Sequence, residues 1–131
     1  MRHILVIDDE PTVCTAVALM LRMRGFTVAE AKNGEDGLAK ARAHPPQLIV
    51  SDLHMPVMDG FETLEEIRKD PLLHAIPFVV ITGFPSEASE LRLRANGVNA
   101  ILTKPFTLQE LVAAVEAHFP GHNTRQPTPA P

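Results

Sequence analysis

Short apolar runs alternate with helical segments five times along the chain. The strand-like runs occupy residues 4–7, 26–30, 48–51, 78–82 and 99–103. Four of them are almost continuously apolar, which is typical of strands that are covered on both faces of a sheet. The run at 26–30 mixes apolar and polar residues, so we predict that it lies at or near an edge. This alternation predicts a parallel sheet that is wrapped by helices.

The segments between and after these runs carry the start and stop signals of helices. They are predicted from Pro11 to Gly25, from Asn33 to just before Pro45, from Asp59 to Pro71, from Ser86 to Asn96-Gly97, and from Thr107 to Phe119. The third should bury Phe61 and Leu64, with either Ile67 or the aliphatic stem of Arg68. The fourth has the thinnest apolar stripe.

That stripe of the fourth helix consists of Ala88, Leu91 and Ala95. These residues recur at helical spacing and are predicted to face the core. Leu93 falls outside the stripe, so we expect it to point elsewhere.

The composition narrows the class of protein. A chain of 131 residues with 45% apolar residues fits one globular domain with a real core. The net charge of −4 argues against direct binding to nucleic acid or membranes. No run is long enough to span a bilayer, and the N-terminus does not resemble a signal peptide, so we expect a cytoplasmic protein. The single cysteine, Cys14, excludes an internal disulfide and is expected to be a small core or flank residue without special reactivity.

The pattern stops at Pro120. We predict a domain over residues 1–119, followed at 120–131 by a disordered tail or a truncated linker. This last segment is rich in proline and has almost no apolar side chains, so it cannot bury enough surface to fold.

Polar residues stand where four of the apolar runs end. Asp8 and Asp9 follow the first run, Asp52 follows the third, Thr82 ends the fourth, and Lys104 follows the fifth. The carboxyl ends of parallel strands meet at one edge of an open sheet, which is where such sheets bind ligands. Three carboxylates with a hydroxyl and a lysine are suited to holding a hard cation and a phosphoryl group.

The residue types also indicate the chemistry. Clustered carboxylates raise one another's pKa and destabilise an empty site, so a cation is expected, and Mg²⁺ suits oxygen ligands best. Lys104 would supply the positive charge that phosphoryl transfer needs, and Thr82 a hydroxyl donor. One of the carboxylates could be a nucleophile that forms an aspartyl phosphate.

Four segments together resemble the receiver domain of bacterial two-component response regulators. They are Ile4-Leu5-Val6-Ile7-Asp8-Asp9-Glu10-Pro11, Asp52-Leu53-His54-Met55-Pro56-Val57-Met58-Asp59-Gly60, Val80-Ile81-Thr82-Gly83 and Thr103-Lys104-Pro105-Phe106. The resemblance implies a flavodoxin-like (βα)5 fold, with a five-stranded parallel sheet in the order 2-1-3-4-5 and helices on both faces.

The resemblance also implies how the site works. Asp52 would accept a phosphoryl group from a sensor histidine kinase or a histidine phosphotransfer protein. Asp8 and Asp9 would hold Mg²⁺ together with Asp52 and the backbone carbonyl of His54. The chain would then be a signalling switch that catalyses only its own phosphorylation and dephosphorylation.

Two further residues have implied roles in the switch. Thr82 would contact the phosphoryl group and change position, and Lys104, whose bond to Pro105 is expected to be cis, would pair with that group. The surface of helix 4, strand 5 and helix 5 would then change and control an unknown partner or a missing output domain.

Some positions depart from the family pattern. Ile101 stands where receivers often carry an aromatic switch residue, so we expect the signal to pass through Thr82 and its loop alone. Asn99-Ala100 replaces acids that support one mode of dimerisation, so we expect a monomer or a weak dimer. His54 and Phe84 occupy positions that modulate phosphoryl hydrolysis in the family, and bulky Phe84 is expected to limit access of water.

Two other classes compete with the switch. An Mg²⁺-dependent phosphatase with an aspartyl nucleophile is the main alternative. That class has Asp-x-Asp after its first strand, whereas this chain has Asp8-Asp9-Glu10 and lacks a substrate cap. Dinucleotide binding is not supported, because no glycine-rich turn follows the first strand.

Overall fold

The alternation of strands and helices is confirmed by the structure, a computed structural model that describes residues 2–121. The elements are β1 (His3–Ile7), α1 (Pro11–Arg22), β2 (Thr27–Ala31), α2 (Gly34–Ala43), β3 (Leu48–Asp52), α3 (Gly60–Lys69), β4 (Phe78–Thr82), α4 (Glu87–Ala95), β5 (Ala100–Thr103) and α5 (Leu108–His118). The predicted tail lies outside the described residues from position 122 onward. The domain limit at residue 119 stays a prediction.

The five strands form one parallel sheet in the order β2-β1-β3-β4-β5. The predicted flavodoxin-like topology is therefore confirmed. In this register Ser51 of β3 lies between Ile7 of β1 and Val80 of β4. Because all strands run the same way, their carboxyl ends share one edge, and the polar residues that end them are brought to that edge.

Alternate residues of the central strands supply two cores, one on each face of the sheet. Leu5 and Ile7 of β1 pack with residues from α2, α3 and α4, whereas Ile4 and Val6 pack with residues from α1 and α5. Cys14 is buried in the second core, as predicted. No helix within residues 2–121 combines the length and the hydropathy that crossing a membrane requires.

The two edge strands are less buried than the central strands. The mixed pattern of β2 correctly predicts its edge position. The apolar run of β5 predicts full burial on both faces, and this is wrong, because β5 is the other edge and is only partly covered.

Start signals in the sequence correspond to real helix caps. Asn33 and Ser86 each accept a hydrogen bond from a backbone N–H in the first turn of α2 and α4, at 2.8 and 3.1 Å. Asp59 and Thr107 form full capping boxes at α3 and α5. Each cap satisfies N–H groups that have no partner within the helix, which fixes where these helices begin.

The predicted inner face of α4 is wrong. Leu93 is the buried residue, at 1% exposure, whereas Leu91 is 66% exposed and Ala88 and Ala95 also face solvent. Helix α4 has only nine residues, and its two leucines stand two positions apart, so its sequence defines no clear apolar stripe. Contacts with other elements therefore decide which face of α4 is buried. Arg92 supplies such a contact, since its guanidinium lies 4.3 Å from the centre of the Phe61 ring in α3.

Arg68 at the end of α3 connects three segments at the amino edge of the sheet. Its Nη1 donates to the carbonyls of His74 and Ile76, at 3.0 and 2.7 Å. Its Nη2 donates to the carbonyl of Gly97 and to Oδ1 of Asn99, at 2.8 and 3.1 Å. The sequence pattern predicts a role only for the aliphatic stem of Arg68. The guanidinium contributes more, because it forms these four hydrogen bonds.

Candidate functional site

Three carboxylates meet at the carboxyl edge of the sheet. Asp8 and Asp9 directly follow β1, and Asp52 is the last residue of β3. One carboxylate oxygen from each lies within 4.8 Å of the others. Asp8 and Asp52 are almost fully buried, at 4% and 8% exposure. The structure thus brings together the three acids that the sequence pattern predicts to converge.

Lys104 and Thr82 complete this edge. The ammonium of Lys104 lies 3.3 Å from Oδ1 of Asp52, and its backbone N–H donates to the carbonyl of Thr82 at 2.8 Å. The Lys104-Pro105 bond is cis, as expected. The buried Thr82 hydroxyl accepts the backbone N–H of Phe84 at 3.0 Å. Thr82 is therefore linked to the start of the loop that leads to α4.

The loop between β3 and α3 forms the rim of the site. His54 is exposed, and its ring meets the Phe84 ring edge-on, with the ring centres 5.9 Å apart. Val57 has a positive φ of 70°, and the N–H of Met58 donates to the carbonyl of Pro56 at 2.8 Å across it. This is a strained turn for a β-branched residue.

The backbone around Asp52 is held by several short contacts. Leu53 donates to the carbonyl of Ile81 at 3.0 Å and accepts from the N–H of Gly60 at 2.7 Å. A side chain at Gly60 would place its Cβ 2.7 Å from the Asp52 carbonyl oxygen, so only glycine fits there. On the strand itself, the Ser51 hydroxyl donates to the same carbonyl at 2.8 Å.

Ser51 is a residue near the site that the sequence patterns do not single out. It belongs to the apolar run 48–51, although its side chain is polar. A single hydroxyl inside an otherwise apolar central strand is the signal that could have identified it, because a buried hydroxyl must find a hydrogen-bond partner.

The site destabilises its own negative charge. Burial raises the pKa of Asp8 to about 6, and the charges of Asp52 and Asp9 add to this, while the Glu10 N–H and the Lys104 ammonium oppose it. Burial also raises the pKa of Asp52, against the opposing effect of Lys104. An all-oxygen donor set that is desolvated and short of positive charge fits a hard divalent cation such as Mg²⁺.

The raised pKa of Asp8 makes the stability of the metal-free chain depend on pH. An aspartate in an unfolded chain has its ordinary pKa of 3.8, whereas Asp8 has a pKa of about 6 in the folded chain, so the folded chain binds more protons between these values. The free energy of unfolding should therefore fall as pH rises through this window, by up to about 3 kcal/mol. Urea unfolding at pH 4.5 and 7, followed by circular dichroism in EDTA, measures the change.

The Asp8→Asn variant is the control for this prediction. It lacks the titrating group and should lose the part of the decrease in stability between pH 4.5 and 7 that Asp8 causes, while Asp52, whose pKa burial also raises, keeps its own part. The lowered pKa values of Asp36 and Asp70 place their own contributions below pH 3.8, outside this window. An equal pH dependence in wild type and Asp8→Asn would show that Asp8 is not the source.

Comparison with known proteins identifies the family to which this fold and edge belong. The family model of the response regulator receiver domain matches residues 4–116. The chain belongs to the response regulator receiver family. Protein PilH of Pseudomonas aeruginosa is 33% identical over 121 residues, which is 92% of this chain and 100% of that protein. The probable chemotaxis protein CheY of Rhizobium etli is 33% identical over 117 residues, covering 88% of this chain and 91% of that protein.

Solved receiver structures show the same architecture. Chemotaxis protein CheY4 of Vibrio cholerae aligns with a TM-score of 0.87 at 29% identity, covering 91% of this chain and 99% of that chain. Some relatives are longer: the chain spans 48% of the regulator RpaA of Synechocystis, to which it is 35% identical over 117 residues. The receiver family supports phosphorylation-dependent signalling in two-component systems, and the phosphatase alternative is not favoured.

Proposed function

We propose that this receiver is a switch in which Asp52 accepts a phosphoryl group from a sensor histidine kinase or a histidine phosphotransfer protein. The main support for this proposal is the contact between the buried Asp52 carboxylate and the Lys104 ammonium, which lies in a cluster of three acids. The change would be transmitted to the surface of α4, β5 and α5, which controls a partner or an output domain. The proposed unit is residues 1–119.

The transfer itself is a displacement at phosphorus. An oxygen of the Asp52 carboxylate forms the new O–P bond, the N–P bond to the donor histidine breaks, and its electron pair stays on the imidazole nitrogen. Asp8, Asp9 and Asp52, with the backbone carbonyl of His54, are the proposed ligands of Mg²⁺. When bound, Mg²⁺ neutralises charge on the phosphoryl oxygens. The Lys104 ammonium adds positive charge beside the attacking carboxylate.

Thr82 would couple the new phosphoryl group to α4. Its hydroxyl accepts the N–H of Phe84, so its own proton is available for donation to a phosphoryl oxygen. A groove between α4 and β5 is lined by Thr82, Leu93 and Ile101, among others. Ile101 provides no large ring that could swing into this groove. A movement of Thr82 would therefore be transmitted to α4 through the loop at residues 83–86, which contains Phe84.

One experiment separates the switch from an enzyme that acts on other molecules. The chain is incubated with Mg²⁺ and acetyl phosphate, and intact mass is followed over time. The switch predicts a gain of at most one phosphoryl group per chain, which EDTA prevents. Continuous turnover of p-nitrophenyl phosphate without a labelled chain would favour the phosphatase and would overturn the proposal.

Mg²⁺ is expected to stabilise the folded chain, because it relieves repulsion among carboxylates that only the folded state brings together. At a concentration several-fold above its dissociation constant, the gain should be about 1 kcal/mol, or about 3 to 5 °C in Tm. Thermal unfolding with and without millimolar Mg²⁺ measures this shift. The control Asp36→Asn should keep the shift, and Asp9→Asn should lose it. An unchanged Tm in wild type would argue against a shared site.

Phe84 is expected to slow the loss of the phosphoryl group. Its ring is 76% exposed and lies against His54 at the rim of the site, where it would limit the approach of water. Phe84→Ala should therefore dephosphorylate at least about threefold faster. The control Leu72→Ala removes a side chain of similar exposure, 79%, beyond α3. Equal decay of labelled wild type and Phe84→Ala would contradict this role.

A further inference from the structure

Ser51 is a buried hydroxyl in apolar surroundings. Its side chain is fully buried, and its neighbours across the sheet are Ile7 on β1 and Val80 on β4, both of them core residues. A hydroxyl in such a place must form a hydrogen bond to offset its lost hydration. The partner that it finds is the backbone carbonyl of the next residue, Asp52, at 2.8 Å.

This hydrogen bond acts on the peptide group that follows the Asp52 side chain. The Asp52 carbonyl oxygen accepts a hydrogen bond from the Ser51 hydroxyl, and the backbone of Gly60 packs closely against it. The next peptide group is fixed by the bonds from Leu53 to Ile81 and from Gly60 to Leu53. Rotation of this backbone would swing the Asp52 carboxylate relative to Lys104, because the carbonyl and the carboxylate are carried by the same Cα.

We propose that Ser51 is a positioning residue for the phosphoacceptor. Its hydroxyl holds the Asp52 carbonyl, and so fixes the direction in which the carboxylate meets the Lys104 ammonium and an incoming phosphorus atom. The inference rests on the proposed function of Asp52. Small displacements of a reacting group reduce rates steeply, whereas they change stability little.

The test compares two buried hydroxyls in the same fold. Thr63 is also fully buried and donates to a backbone carbonyl at 2.6 Å, but that carbonyl belongs to Asp59, the residue that caps α3, and not to Asp52. Rate constants for labelling with acetyl phosphate and Mg²⁺ are measured by intact mass for wild type, Ser51→Ala and Thr63→Val, together with Tm. Ser51→Ala should label about fivefold more slowly. Thr63→Val should label at the rate of wild type, even if its Tm falls as far as the Tm of Ser51→Ala.

Two further variants separate the hydrogen bond from packing. Ser51→Cys keeps the shape with a much weaker donor and should be as slow as Ser51→Ala, and it also serves if the alanine variant folds poorly. Ser51→Thr restores the hydroxyl and should recover most of the rate. Rates within twofold of wild type for both Ser51→Ala and Ser51→Cys would overturn the inference. If wild type itself takes no label, the proposed function of Asp52 fails instead.

Discussion

Replacing Lys104 with methionine is expected to slow the labelling of Asp52 by about 10²-fold or more at neutral pH. The ammonium lies 3.3 Å from the carboxylate and is the main influence that opposes the rise in its pKa caused by burial. Without it, the pKa of the Asp52 carboxyl rises further, and the charge of the transferring group is less well neutralised. Labelling rates with acetyl phosphate at saturating Mg²⁺ measure the loss.

The same substitution should act in the opposite direction on the metal. The Lys104 ammonium repels an incoming Mg²⁺ ion, and the methionine variant lacks this repulsion. Lys104→Met should therefore bind Mg²⁺ more tightly while it labels more slowly. Lys40→Met is the matched control, because it removes a lysine that pairs with Asp36 at 3.2 Å, outside the acidic cluster. This control should label within twofold of wild type. Parallel loss of labelling and of Mg²⁺ binding in Lys104→Met would indicate general damage to the site.

Replacing Arg68 with methionine is expected to lower the free energy of unfolding by about 2 to 4 kcal/mol. Methionine keeps the apolar stem but removes four hydrogen bonds, three of them to backbone carbonyls. Those acceptors then lose a charged donor at a partly buried position, where water replaces it poorly. Urea unfolding followed by circular dichroism gives the difference.

Arg92→Met provides the comparison for this loss. Arg92 pairs with Glu65 at 3.2 Å and stacks on Phe61, but its side chain is half exposed. Exposed pairs and cation–π contacts of this kind contribute little, so the cost should be about 1 kcal/mol or less. Similar losses for both variants would mean that the carbonyl contacts of Arg68 are not its main contribution.

The alternation of strands and helices, the parallel sheet and the acidic edge could be predicted because they depend on local patterns, whereas the strand order came from the resemblance to receiver domains. Continuous apolar runs, capping residues and proline positions are readable in the chain, and parallel strands bring their carboxyl ends together by geometry alone. Asp8, Asp52 and Lys104 stand directly at strand ends, so a single parallel sheet that contains these runs predicts their convergence.

The remaining features depend on contacts between distant segments. The inward face of α4 is set by its contacts with α3, and Arg68 reaches carbonyls up to 29 residues away, at Gly97. Neither is visible in a local pattern. Ser51 was hidden for another reason, since one polar residue in a short apolar run changes no element prediction. Its importance lies in what its hydroxyl touches.

Labelling of wild type and Asp52→Asn by acetyl phosphate with Mg²⁺ tests most directly whether Asp52 is the phosphoacceptor. Intact mass is measured before and after treatment with hydroxylamine, which cleaves acyl phosphates. We predict that wild type gains one phosphoryl group that hydroxylamine removes, and that Asp52→Asn gains none that hydroxylamine removes. Equal hydroxylamine-sensitive labelling of Asp52→Asn, or a wild-type label that resists hydroxylamine, would contradict the assignment.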